Sequence, residues 1–142
     1  MDGPIVVGTD GSDTAAIALG EAIELAKAFD TTLHVVCAFR PQGLDTRNVP
    51  PEFAGAVHAD SEVQAVLDDA MARARQSGVK AEPHAVTGDP ADAILDSAEG
   101  LRAALIVVGN KGISSVRRYV LGNVPSKVVH HAPCSTYVVH TT

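Results

Sequence analysis

Ala104-Leu105-Ile106-Val107-Val108 runs straight into Gly109-Asn110-Lys111-Gly112. Consecutive apolar residues without polar alternation predict a strand buried on both faces, as in a parallel sheet covered by helices on each side. Glycines directly after such a strand let the backbone turn tightly and come close to a ligand. Gly122-Asn123-Val124-Pro125-Ser126 then leads into a helical pattern from about Val124, and the first amides of a helix have no internal partners. Together the turn and the helix start form a natural seat for phosphate. Asn123 also reads as an ordinary helix cap and the glycines as ordinary turn residues, so spacing alone leaves both readings open.

Working outward, the rest of the chain alternates strand and helix. Residues 4–10 form a first strand that ends in the turn Gly8-Thr9-Asp10-Gly11-Ser12. Ser12 or Asp13 can cap the following helix, whose expected buried stripe is Ala15, Leu19, Ala22, Ala26 and Phe29. Residues 33–39 form a second strand, in which His34 reads as a packed strand residue. From Arg40 to about Val57 the prolines and glycines show no period, which predicts a long loop. Leaving the carboxyl end of a strand, it could fold over a ligand and bring Arg40 or Arg47 to a phosphate. A helix is expected over about 59–76, ended by Ser77-Gly78, then a strand over 80–86. Asp89-Pro90 marks the start of another helix, with Ile94, Leu95, Ala98 and Leu101 inward. The last helix runs to about His131 and the last strand over 135–140.

This alternation implies an α/β fold: one domain, a doubly wound sheet of five mainly parallel strands with helices on both faces. Ligands of such sheets sit beyond the carboxyl ends of the strands, where the winding reverses. Asp10, Val35 and Gly109 fall at or near such ends. There Asp10 can accept hydrogen bonds from ribose hydroxyls or help hold a magnesium ion; it can equally be a turn Asp bonding its own backbone.

Charge is distributed unevenly along the 142 residues, whose net charge is −6. Arg102, Lys111, Arg117, Arg118 and Lys127 all follow residue 100, whereas every Asp and Glu precedes it. The anion seat therefore lies in the basic part of an acidic chain. The acidic balance and lack of basic runs argue against duplex nucleic acid as a partner. No run of eighteen apolar residues and no basic, apolar leader is present, so neither a membrane span nor a signal peptide is expected, and the expected compartment is the cytoplasm. Cys37 and Cys134 lack metal-type spacing and read as buried thiols.

The spacing Gly109-x2-Gly112-x9-Gly122 resembles the nucleotide signature of the universal stress protein family. The resemblance covers the whole chain: Ile5-Val6-Val7-Gly8-Thr9-Asp10-Gly11-Ser12 is similar to that family's first strand and turn, and Val128 to Cys134 with Tyr137-Val138-Val139 to its last helix and strand. It implies an adenine-nucleotide site drawn from Gly8, Thr9, Asp10, Val35, Gly109, Asn110, Gly112, Gly122, Asn123 and Val124, with the backbone at Val35 on the adenine edge. The implied ligand is ATP, with magnesium as a possible companion. ATP-binding members usually have Ser or Thr after the third glycine, where this chain has Asn123. Asn can still cap the helix and donate its amide to a phosphate oxygen. The departure leaves room for cyclic AMP or AMP as the ligand.

Catalytic signatures are missing: the sequence has no Gly-x-Ser-x-Gly, His-Glu-x-x-His, Cys-x-x-Cys or Gly-x4-Gly-Lys-Ser/Thr. Hydrolysis of ATP needs a base positioned on water and carboxylates on a metal. No carboxylate follows residue 100, and helical spacing points His130 and His131 away from the helix start. Binding with little or no turnover is the expectation, in a stress or regulatory role; the reading from another class is a dimeric interaction module that binds no nucleotide. The apolar terminal strand would lie at a sheet edge, which together with the resemblance implies a homodimer through it.

Overall fold

The structure, a computed structural model, describes residues 1–40, 61–111 and 121–141. Among these, nine elements alternate: β1 (Ile5–Gly8), α1 (Asp13–Phe29), β2 (Leu33–Phe39), α2 (Ser61–Gln76), β3 (Ala81–Thr87), α3 (Pro90–Leu101), β4 (Leu105–Gly109), α4 (Asn123–His131) and β5 (Ser135–Val139). The strands form one sheet in the order β3-β2-β1-β4-β5, and every pairing is parallel. The expected doubly wound α/β architecture is therefore the one observed. No helix among the described residues is long and apolar enough to cross a membrane.

Strand alternation divides the core into two layers. Ile5, Val7, Leu33, Val35, Leu105 and Val107 face α1 and α2. Val6, Val36, Ile106 and Val108 face the other way, onto α3 and Val128 of α4. Both faces being covered is why β1 and β4 read as unbroken apolar runs and β2 as a run interrupted by His34. Ile5, Leu33 and Ile106 are fully buried, each removing a side chain from water for a gain of about 1.5–3 kcal/mol.

The helix starts follow the sequence. Ser12 caps α1 by accepting from the Ala15 N–H at 3.2 Å, and Asp89 caps α3 by accepting from the Asp92 N–H at 3.1 Å, with Pro90 in the first turn. The α1 stripe differs from expectation: Ala18, Leu19, Ala22, Ile23 and Ala26 are buried, whereas Phe29 is about half exposed. The expected stripe steps by four and three residues in turn, close to the 3.6-residue turn, and its middle members Leu19, Ala22 and Ala26 are buried. Phe29 lies in the last turn, next to the left-handed Asp30 that ends the helix.

Cys37 is buried, as expected, but Cys134 is only half-buried. Burial pushes the Cys134 thiol above its ordinary pKa. Its thiolate is therefore scarce at neutral pH, in keeping with a packing role.

Candidate functional site

β1 and β4 are neighbours in the sheet, yet the chain leaves them in opposite directions, to α1 on one face and toward α4 on the other. A crevice opens between the two exits. Gly8, Thr9 and Asp10 form one bank; Gly109 and Lys111, with Val124 and Pro125 from the first turn of α4, form the other. Between them Val36, Ala38, Ile94 and Val108 make an apolar slot.

The β1 bank is shaped by its own turn. The Gly11 N–H donates to Thr9 Oγ1 at 3.1 Å and the Ser12 N–H to Asp10 Oδ1 at 2.9 Å. Asp10 thus bonds the local backbone with one oxygen, as the turn reading expects, and also lines the crevice. Gly8 keeps the floor low: a Cβ there would stand 2.4 Å from Ile94 Cδ1.

On the β2 side, the Thr9 N–H donates to the Val36 carbonyl at 2.9 Å, while the Leu33 N–H donates to the Lys80 carbonyl at 2.9 Å. In a strand these directions alternate, so Val36 and Ala38 turn their backbone toward β1, and Leu33 and Val35 turn theirs toward β3. Because β1 ends at Gly8, opposite Val36, the Ala38 backbone faces the open crevice. Val35 is fully buried in the α1 and α2 layer and does not line it.

Gly8, Thr9, Asp10, Gly109 and Val124 are thus brought together around one cleft, as expected. Asn110, Gly122 and Asn123 stand beside it rather than on its wall. Gly122, not Asn123, is the N-cap of α4; Asn123 is the first helical residue and makes no capping bond. The Asn110 side chain is occupied elsewhere, its Oδ1 accepting from the Thr141 N–H at 2.9 Å and the Thr141 hydroxyl at 2.7 Å. Gly112, Arg47, Arg117, Arg118 and nearly all of the 40–57 loop lie outside the described residues, and Arg40, at the end of β2, does not line the cleft.

The basic segment is less of an anion magnet than its composition suggested. Lys127 lies 2.8 Å from Asp92 and 3.6 Å from Asp89, joining α4 to the start of α3. The hydrogen bond it donates to the Asp92 carboxylate holds its ammonium above the ordinary lysine range. Arg102 ends α3 at the opposite pole, beside Gly3. Of the three basic residues described after residue 100, Lys111 alone lines the cleft.

Chemically the cleft can hold a flat apolar ring in the slot, bond its edge through the Ala38 backbone, accept from hydroxyls at Asp10, and meet an anion with Lys111 and the first amides of α4. Among the described residues lining it, Asp10 is the one carboxylate, and there is no His or Cys.

Known proteins resemble the chain over nearly its full length. The chain is 36% identical over 141 residues to the universal stress protein Rv1636 of Mycobacterium tuberculosis, with 97% of this chain and 96% of that protein covered. A solved structure of a universal stress protein in complex with cAMP superposes with a TM-score of 0.77 at 32% identity, covering 99% of this chain and 98% of that one. Another from Archaeoglobus fulgidus, in complex with dAMP, gives a TM-score of 0.69 at 28% identity, with 95% of each chain covered. The model of the universal stress protein family matches residues 1–140. A sheet wound in the order 3-2-1-4-5, a glycine turn at its switch point and a match along almost every residue have one common source: the chain belongs to the universal stress protein family.

Proposed function

We propose that the protein binds an adenine nucleotide in the crevice between β1 and β4 and acts through occupancy rather than turnover. The carrying observation is the apolar slot between Val36, Ala38, Ile94 and Val108, with Asp10 on one bank and Lys111 on the other. The base lies in the slot with its edge on the Ala38 backbone, a role the resemblance had assigned to Val35. The ribose meets Asp10, and the phosphates meet Lys111 and the start of α4. ATP is the ligand that the glycine signature implies, with magnesium as its companion. The described part of the site fits this ion poorly, since Asp10 is the one carboxylate on the wall and already accepts a backbone bond.

A second reading, cyclic AMP or AMP, is favoured by the engagement of Lys127 with Asp89 and Asp92. A single described cation on the wall matches a single phosphate better than three. The solved relatives holding cAMP and dAMP lend support to the same reading.

Calorimetric titration with ATP, AMP and cyclic AMP ranks these ligands. Asp10→Ala removes a charged acceptor worth about 1.5–3 kcal/mol and is expected to weaken the preferred nucleotide about tenfold or more. The absence of binding by any of the three would overturn the reading and favour an interaction module. With Asp10 as the one carboxylate and no His or Cys on the described wall, phosphate release from ATP is expected to stay below about 1 per second, the low end of ordinary enzymes.

The same reading places the protein in the cytoplasm as a homodimer joined through β5. β5 is an outer strand. The Asn110 N–H donates to the Val139 carbonyl, so by alternation Val138 turns its backbone to the free edge, and Tyr137 and Val138 are exposed. Val138→Lys is expected to shift the protein to monomer in sedimentation at micromolar concentration while leaving its circular dichroism unchanged. Monomeric wild type under the same conditions would refute the dimer.

A further inference from the structure

The parallel register of β2 and β3 places Glu82 directly across from His34, and His84 across from Val36, two residues further along the same face. Two ligand-bearing side chains of β3 therefore converge with one of β2, about 50 residues earlier in the chain, on one patch near the sheet edge. His34 Nδ1 is 2.8 Å from His84 Nε2 and 3.5 Å from Glu82 Oε2, and one ligand atom from each lies within 4.8 Å of the others. We propose that His34, Glu82 and His84 form a binding site for a divalent transition metal of the zinc class, separate from the nucleotide cleft.

The donor set selects the ion. Two imidazoles and one carboxylate suit a borderline cation such as zinc, whereas calcium and magnesium take oxygen ligands. Bonds of about 2.0–2.1 Å in a tetrahedral site put neighbouring donor atoms about 3.3 Å apart. His34 and Glu82 are already near that spacing, and the two ring nitrogens need only part slightly to admit the ion.

Proton placement tells the same story. A 2.8 Å contact between ring nitrogens requires a lone pair on one of them. One proton on either nitrogen makes that bond, and a divalent cation standing in its place meets both rings and the neighbouring Glu82 carboxylate. His34 is buried, which fixes its ring, while His84 is half-buried and Glu82 exposed, which gives the ion a way in and leaves a fourth position to water. None of the three lines the nucleotide cleft, so this site does not depend on the nucleotide reading.

The test uses the full chain, stripped with a chelator and titrated with zinc chloride, then with cobalt chloride for its visible tetrahedral bands. The variants are Glu82→Gln and His84→Ala, both on the outer strand, with folding checked by circular dichroism; His34 is left intact because it is buried. Expected are one zinc per chain with micromolar or tighter affinity, a melting temperature raised by zinc, and at least tenfold weaker zinc binding in each variant with nucleotide affinity unchanged. Wild type that binds no zinc at micromolar concentration overturns the proposal. So do variants that bind as tightly as wild type, since the ion would then sit elsewhere, as on His130, His131 or His140.

Discussion

Gly11→Val is expected to lower the unfolding free energy by about 3–5 kcal/mol, a large part of the 5–15 kcal/mol that holds a typical domain together. Two independent costs add. Gly11 has φ +81°, a conformation that strains a β-branched residue by about 1–3 kcal/mol. A Cβ there would also stand 2.6 Å from Val66 Cγ2 on α2, an overpacking that typically costs a further 1–3 kcal/mol or so. Urea denaturation measures the sum, and adding Val66→Ala separates the parts: the double variant should recover the steric share and keep the backbone share. Nucleotide affinity should fall as well, because Gly11 sits inside the turn whose bonds orient Thr9 and Asp10. A loss below about 1 kcal/mol would mean that the turn relaxes without cost, against this account.

That turn also shows which kind of information the sequence carries openly. Gly8, Thr9, Asp10 and Gly109 could be placed at one site because each ends or directly follows a strand that is buried on both faces, and such strands announce themselves as apolar runs. What stayed hidden depended on the direction of a strand or on a partner far along the chain. Val35 and Ala38 differ by three residues, and only the bond from Thr9 to Val36 reveals which of them turns its backbone to the cleft. Lys127 looked available because the carboxylates that hold it, Asp89 and Asp92, belong to the preceding helix. The cap of α4 moved one residue, from Asn123 to Gly122, a shift that no composition rule resolves.

The His34 cluster was missed for the same reason. Glu82-x-His84 on the strand expected over 80–86 is only a weak local signal, since any two alternate residues of a strand share a face. His34 joins only once β2 is laid beside β3 in register. In its own strand it looks like one packed histidine, and burial together with its neighbour His84 does hold it below the ordinary imidazole pKa. It is therefore neutral at pH 7, and its 3.5 Å contact with Glu82 is not an ion pair there.

Asn110→Leu is expected to cost about 2–3 kcal/mol and to weaken nucleotide binding without touching the cleft wall. The side chain is an acceptor for both the N–H and the hydroxyl of Thr141, and each net bond contributes about 0.5–1.5 kcal/mol, more when a partner is left half-buried and unpaired. Its backbone joins two further segments, donating to the Val139 carbonyl at 2.9 Å and accepting from the Gly122 N–H at 3.0 Å. One residue thus ties the exit of β4, the end of β5 and the cap of α4. With leucine there, Thr141 loses its anchor, β5 frays from its end, and the first turn of α4 loses support on the side where Val124 and Pro125 wall the cleft. Asn110→Asp is the discriminating control, because a carboxylate oxygen can accept the same two bonds. It should melt within a few degrees of wild type, while the leucine variant melts about 5–10 °C lower. Equal melting of the leucine variant and wild type would show that Thr141 holds its place without Asn110, and would assign the geometry of this pole to the backbone bonds alone.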